Sequence, residues 1–193
     1  MMATTSTLLT PIKWSIDDYH QMIASGLLCD RRVELLDGDI VEMVPVEPLH
    51  DDVREELASY LRSVLSDRAR VREATAVTLP NRSEPIPDIS VVRPQRYRDR
   101  HPYVEDIYLL IEIANSRPVR DTEVKRLTYA RAGIPEYWVF DLEKDDLRVF
   151  RDIQGAGDEA DYQLDITWEE DMIEIQAFPD IALSATTMKQ LIA

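Results

Sequence analysis

Apolar and polar positions along the chain change spacing from block to block, most clearly between Ile107 and Asp141. The first block, IYLLIEIANS, is an apolar run broken by one carboxylate, Glu112. The second, RPVRDTEVKRLTYARAG, is amphipathic, with Val124, Leu127, Tyr129 and Ala130 near one face and Gly133 as its stop. The third, IPEYWVFD, is again apolar and β-favouring. The pattern predicts strand, helix, strand, and the connection is long enough for a parallel crossover.

The rest of the chain is punctuated more locally. Ser15 with Asp18 three residues later has the form of a capping box, which predicts a helix from Ile16 to Ser25 ended by Gly26. Met22, Ile23 and Leu27 are its expected core positions. Arg32–Leu36, Asp37-Gly38 and Asp39–Val44 predict a hairpin, because Asp-Gly suits a two-residue turn at positive φ. Alternation puts Val33 and Leu35 on one face and Glu34 and Leu36 on the other. Val53, Leu57, Tyr60, Leu61, Val64 and Leu65 recur at helical spacing and predict the longest helix, His50 to about Arg68. Strands are expected at Val71–Leu79, Asp88–Val92, Leu147–Arg151, Tyr162–Trp168 and Met172–Ile175, with a last helical turn at Thr186–Ile192. An arginine-rich loop runs from Arg93 to Val104. With no repeat and no low-complexity segment, the expectation is one α/β or α+β domain, residues 13–193, behind a flexible N-terminus, residues 1–12.

Composition narrows the function classes. The chain has 193 residues, 45% of them apolar, enough for a sizeable core. No apolar run approaches the about 20 residues that cross a bilayer, so no membrane partner is expected. A single cysteine, Cys29, excludes an internal disulfide framework and fits a reducing, cytoplasmic compartment. Three scattered histidines carry no zinc signature. The net charge of −15 argues against a nucleic-acid partner until its distribution is considered. Residues 141–180 hold 14 acidic and 3 basic residues, whereas residues 66–100 hold 8 arginines against 5 acids. The acidic segment reads as a solvated surface or as a docking face for a basic protein partner.

Three carboxylates sit in or beside β-type stretches: Glu34, Asp88 and Glu112. A carboxylate inside a buried strand is costly unless its charge is compensated. Lys125, one of four lysines against 18 arginines, lies on the helix that follows the Glu112 strand. Carboxylates at strand ends form a hard-oxygen site suited to Mg²⁺ or Mn²⁺. A lysine beside them can orient water and stabilise charge on a phosphate. The plainer alternatives are Glu112 paired with Arg120 or Arg126, Asp88 capping a turn, Glu34 exposed on the hairpin, and Lys125 solvated. His50 stands at a helix start, where an unpaired imidazole is common. Tyr129, four residues after Lys125, is a core candidate as well as a site candidate, and Tyr137 and Trp138 are core candidates. Arg93, Arg96, Arg98 and Arg100 either contact a DNA backbone or form a solvated loop.

Five segments occur in a telling order: WSIDDYHQMIASG; RVELLDGDIVEMVP followed by His50; PDISVV; LIEIANS; and RDTEVKRLTYARAGIPEYWVFD. Together they resemble the Uma family of restriction-endonuclease-like proteins, in the PD-(D/E)XK nuclease superfamily, over about residues 14–152. The resemblance implies a restriction-endonuclease-like core, a central mixed β-sheet of about five strands flanked by helices, here with added β-hairpins. It implies Asp88 and Glu112 as catalytic metal ligands, with the Ile113 backbone carbonyl as a third and Glu34 as a supporting acid. It implies Mg²⁺ or Mn²⁺ as cofactor, DNA as substrate and a homodimer. The superfamily carries a lysine two positions after the second carboxylate. Here that position is Ala114, and Lys125 in DTEVK is the match from the following helix. His50, Asp121 and Tyr129 become accessory candidates. The expected activity is metal-dependent endonucleolytic hydrolysis of phosphodiester bonds. The alternative is a non-catalytic nuclease-fold protein that binds a basic partner. The presence of Glu34, Asp88, Glu112 and Lys125 together favours the enzyme.

Overall fold

Near-continuous apolar strands need cover on both faces, and the chain supplies it with helices on either side of one sheet. The computed structural model describes residues 11–114, 118–169 and 172–192, with backbone alone at 118–122 and 192. In order, the elements are α1 (Ile16–Ala24), β1 (Val33–Leu36), β2 (Asp39–Glu42), α2 (Pro48–Leu65), β3 (Arg70–Glu73), β4 (Ile89–Val92), β5 (Ile107–Ala114), α3 (Pro118–Ala132), β6 (Tyr137–Asp141), β7 (Asp146–Gln154), β8 (Asp161–Thr167), β9 (Met172–Glu174), β10 (Ala182–Ser184) and α4 (Ala185–Ile192). Strands β3 to β8 form a six-stranded mixed sheet in sequence order. The β5–β6 pair is parallel and every other neighbouring pair is antiparallel. The predicted crossover is therefore present. The hairpins β1–β2 and β9–β10 stand apart from this sheet.

The alternation of β5 divides the core. Leu109, Ile111 and Ile113 pack with Leu57 and Leu61 of α2, Trp138 of β6 and Met188 of α4. Leu110 and Ala114 pack on the other side with Tyr129, Ile134 and Tyr137. Glu112 shares the parity of Leu110 and Ala114 and so faces α3. Each buried Leu or Ile contributes about 1.5–3 kcal/mol. A one-residue slip would exchange the two faces and drive Glu112 into the α2 layer, so the register is strongly specified.

Several boundaries differ from expectation. The capping box of α1 is present, with Ser15 and Asp18 bonded reciprocally. Its buried residue, however, is Tyr19, while Ile23 is 49% and Leu27 70% exposed. This short helix lies on the hairpin rather than on the main core, and the Tyr19 hydroxyl donates to the Val33 carbonyl at 2.9 Å. Helix α2 starts at Pro48 in its first turn, where proline needs no N–H partner, so His50 lies inside the helix. The strand expected over Val71–Leu79 ends at Glu73, because Ala74 turns to φ +43°. Val77 and Leu79 stay buried but bond to the main chain of Pro85 and Ser83 instead. The Asp37-Gly38 turn has positive φ at both residues, as the hairpin requires.

Four acids of the later segment pair with bases: Asp141 with Lys144, Asp161 with Arg126, Asp165 with Arg148 and Asp180 with Arg68. Among the described residues no helix is long and apolar enough to cross a membrane.

Candidate active site

Lys125 and Tyr129 are one helical turn apart on α3, so their side chains share a face. That face covers β5 at Glu112. The Lys125 ammonium donates to Glu112 Oε1 at 3.0 Å, and the Tyr129 hydroxyl donates to the same oxygen at 2.8 Å. All three residues are buried. Arg126, the alternative partner considered for Glu112, pairs with Asp161 instead. Arg120 and Asp121 have side chains outside the described residues, which leaves the accessory role expected of Asp121 there.

The other two carboxylates arrive from different directions. Glu34 projects from β1, and its Oε2 lies 3.3 Å from Lys125 Nζ and accepts the Ile86 N–H at 3.1 Å. Asp88 precedes β4. Its Oδ2 accepts the Ile113 N–H at 2.8 Å and lies 3.1 Å from His50 Nε2. The last register pair between β4 and β5 on this side is Ile89 with Ile111, so Ile113 lies beyond the ladder and bonds to a side chain. Glu34, His50, Asp88, Glu112, Lys125 and Tyr129 thus form one connected cluster where β1, α2, β4, β5 and α3 meet.

Charge within the cluster is mutually compensated. Burial pushes the Glu112 carboxyl from its ordinary 4.5 up to about 8; Lys125 pulls it down, and Asp88 and Glu34 push it further up. Burial alone would lower Lys125, but the charges of Glu112, Glu34 and Asp88 outweigh it and hold the group firmly as the ammonium. Burial raises the Tyr129 hydroxyl well above its ordinary value, reinforced by Glu112, so it stays a donor. Burial also works to lower His50, yet the hydrogen bond and charge of Asp88 hold it above its ordinary 6.5.

A second network positions the first. Asp37, at the hairpin tip, accepts from Asn81 at 2.9 Å and from the Thr128 hydroxyl at 2.8 Å, and pairs with Arg131 at 3.4 Å. The tip of the hairpin that carries Glu34 is thereby pinned to the helix that carries Lys125. Sequence reading took Asp37 only as a turn residue; nothing local in the sequence marks a bond between residues 91 positions apart. Glu136 was also missed. It is fully buried, accepts the Trp138 indole N–H at 2.8 Å and the Gln176 N–H at 2.8 Å, and pairs with Arg151. It ties the segment after β9 to the sheet, away from the cluster.

The donor set suits a hard cation. Among the described residues no group of three or more His, Cys, Asp or Glu is arranged to hold a metal ion. The relevant set is smaller: Asp88, Glu112 and the main-chain carbonyl of Ile113. A strand residue presents its N–H and C=O to the same edge, so the Ile113 carbonyl shares the edge at which its N–H meets Asp88. Mg²⁺ commonly takes one or two carboxylates and completes its shell with water and substrate phosphate. The residues present fit that requirement, and their oxygen chemistry suits Mg²⁺ or Mn²⁺ better than zinc.

The arginine loop is not brought to this cluster. Arg93 follows the far end of β4, five residues beyond Asp88, roughly 16 Å along a strand. Arg93 donates to the Glu105 carbonyl, and Arg100 pairs with Asp106 at 2.6 Å and lies over the Tyr103 ring. Both therefore hold the loop together. Arg96 and Arg98 are exposed at the same far end.

No curated protein matches the chain. Solved structures do, among them a crystal structure described as a putative nuclease belonging to DUF820 from Anabaena variabilis. It is 17% identical and superposes with a TM-score of 0.71 over 95% of this chain and 100% of that one, so the likeness is one of fold. The family described as "Uma2: Putative restriction endonuclease" matches residues 16–186. The fold, the ordered segments and this match agree: the chain belongs to the Uma2 restriction-endonuclease-like family.

Proposed function

We propose that this protein is an Mg²⁺- or Mn²⁺-dependent endonuclease that hydrolyses phosphodiester bonds in DNA. The observation that carries the reading is the meeting of Lys125 with Glu112 at 3.0 Å. Ala114 leaves no polar group where the superfamily has its lysine, and α3 returns an ammonium to the same carboxylate. Asp88, Glu112 and the Ile113 carbonyl would hold the cation. When bound, the cation supplies Lewis-acid stabilisation of the phosphate and lowers the pKa of water.

The chain's own residues do the rest. Lys125, held charged by its three carboxylates, is a hydrogen-bond donor and not a base. It orients the attacking water and stabilises negative charge on a non-bridging oxygen as the P–O bond breaks. Glu34, 3.3 Å from the ammonium, is its second carboxylate partner. Tyr129 holds the Glu112 carboxylate, and His50 and the Ile113 N–H hold Asp88.

The test is cleavage of plasmid, linear and single-stranded DNA with Mg²⁺ or Mn²⁺. Asp88→Ala and Glu112→Ala are each expected to abolish cleavage with native circular dichroism retained, and Asp88→Ala to abolish cation binding by calorimetry. Full cleavage by either folded variant overturns the assignment.

A further inference from the structure

A groove of about 330 Å³ opens between α1 and the β1–β2 hairpin, lined by Tyr19, Ile23, Leu28, Arg31, Arg32 and Val33, with Met43, Ala74 and Ile86. Three of its residues adjoin the carboxylate cluster. Ile86 gives its N–H to Glu34 and stands two residues before Asp88. The Ala74 N–H donates to the Asp88 carbonyl at 2.9 Å. Val33 is the chain neighbour of Glu34. The floor is apolar, and Ile23 is left 49% exposed on it.

The rim carries two adjacent positive charges on an acidic chain. This chain carries a net charge of −15, and acids take up several of its other bases: Lys13 pairs with Asp39, Arg54 with Asp51 and Arg131 with Asp37. Arg31 and Arg32 are exposed and make no ion pair with any described residue. Two uncompensated guanidinium groups beside an apolar groove, next to a cluster of carboxylates, complement a nucleotide: anionic along its backbone and apolar on the faces of its base.

We propose that this groove binds an unpaired nucleotide of the DNA strand flanking the scissile phosphate. Arg31 and Arg32 take the backbone phosphates, and Ile23, Leu28, Met43 and Ile86 take the face of the base. A base can lie there only when it is out of a duplex stack, so the site selects single-stranded or locally opened DNA. The inference rests on the nuclease reading and names the substrate form that reading leaves open.

The probe is a labelled short oligothymidylate followed by fluorescence anisotropy, with the full chain in EDTA so that binding is read without cleavage. The double substitution Arg31→Ala, Arg32→Ala is expected to weaken binding about tenfold or more. It should also reduce the slope of log K against log salt by about 1.4, or 0.7 for each phosphate no longer neutralised. Arg68→Ala, which removes one guanidinium that is paired with Asp180, should leave the slope unchanged. An Ile23→Asp variant, half-exposed and so tolerated by the fold, should lose affinity as well, and an abasic oligonucleotide should bind more weakly than the intact one. No binding by the wild type, or equal affinity and slope in the double variant, overturns the groove assignment. Abasic and intact strands binding alike overturns the placement of the base. Cleavage reads separately: DNA cut equally well by the double variant sinks the groove and leaves the nuclease, whereas strands bound in the groove but never cut with either cation sink the nuclease and leave the groove.

Discussion

Replacing Lys125 by methionine keeps the apolar stem and deletes the charge. In the wild type this ammonium lies 3.0 Å from Glu112 and 3.3 Å from Glu34, with its side chain only 11% exposed. Removing one member of a buried ion pair costs about 3–5 kcal/mol, because the partner is left uncompensated. Lys125 serves two carboxylates, which places Lys125→Met towards the upper end, about 4–5 kcal/mol. For a chain of this size each kcal/mol moves the melting temperature by roughly 2–4 °C, so a fall of about 8–20 °C is expected at alkaline pH. The pH dependence has a definite sign. Burial raises the Glu112 carboxyl from 4.5 to about 8 in the fold. A raised carboxyl contributes stability that is full below its unfolded pKa and lost as pH rises through the folded value. Lys125 opposes that rise, so without it the folded value climbs further and the loss grows. Both folded proteins keep Glu112 protonated below about pH 8, so the stability gap between wild type and variant should stay level up to that pH and widen as pH rises beyond it. Urea unfolding midpoints on both sides of that pH measure it. A gap that stays flat beyond it, or a variant as stable as the wild type, refutes the reasoning.

Other consequences are smaller and equally concrete. Tyr129→Phe removes one donor to Glu112 and leaves Lys125 in place, so a loss of about 1–2 kcal/mol by urea unfolding is expected; activity, in the nuclease reading, should fall through kcat. The Asp88 partner holds His50 above 6.5, so its contribution is full below 6.5 and lost as pH rises through the folded value. His50→Gln should accordingly destabilise more at acidic than at alkaline pH, and a His50 NMR titration with a midpoint at or below 6.5 would contradict this. Asp37→Ala removes the acceptor shared by Asn81, Thr128 and Arg131 and puts alanine at φ +47°. It should cost about 1–3 kcal/mol and lower cleavage by loosening Glu34, while wild-type stability and activity in this variant would show that the pin is idle.

The parallel β5–α3–β6 unit, the α1 capping box and the Asp37-Gly38 turn were all legible in the chain, because each is written in residues close together in sequence. Alternation along β5 also set which face Glu112 shares with Leu110 and Ala114. Helical spacing put Lys125 and Tyr129 on one side of α3, and the order of the family segments matched the chain to nuclease-like proteins. What lay beyond sequence was how distant faces meet. Only the packed structure turned Tyr19 inward in place of Ile23 and Leu27, since a nine-residue helix follows the surface it lands on. Only the packed structure ended β3 at Glu73, put the arginine loop at the far end of β4, and joined Asp37 to Thr128. Short-range periodicity determines an element and its faces. Which face of one element meets which face of another is decided by simultaneous burial of apolar area and pairing of buried charge, and neither quantity exists until the chain has folded.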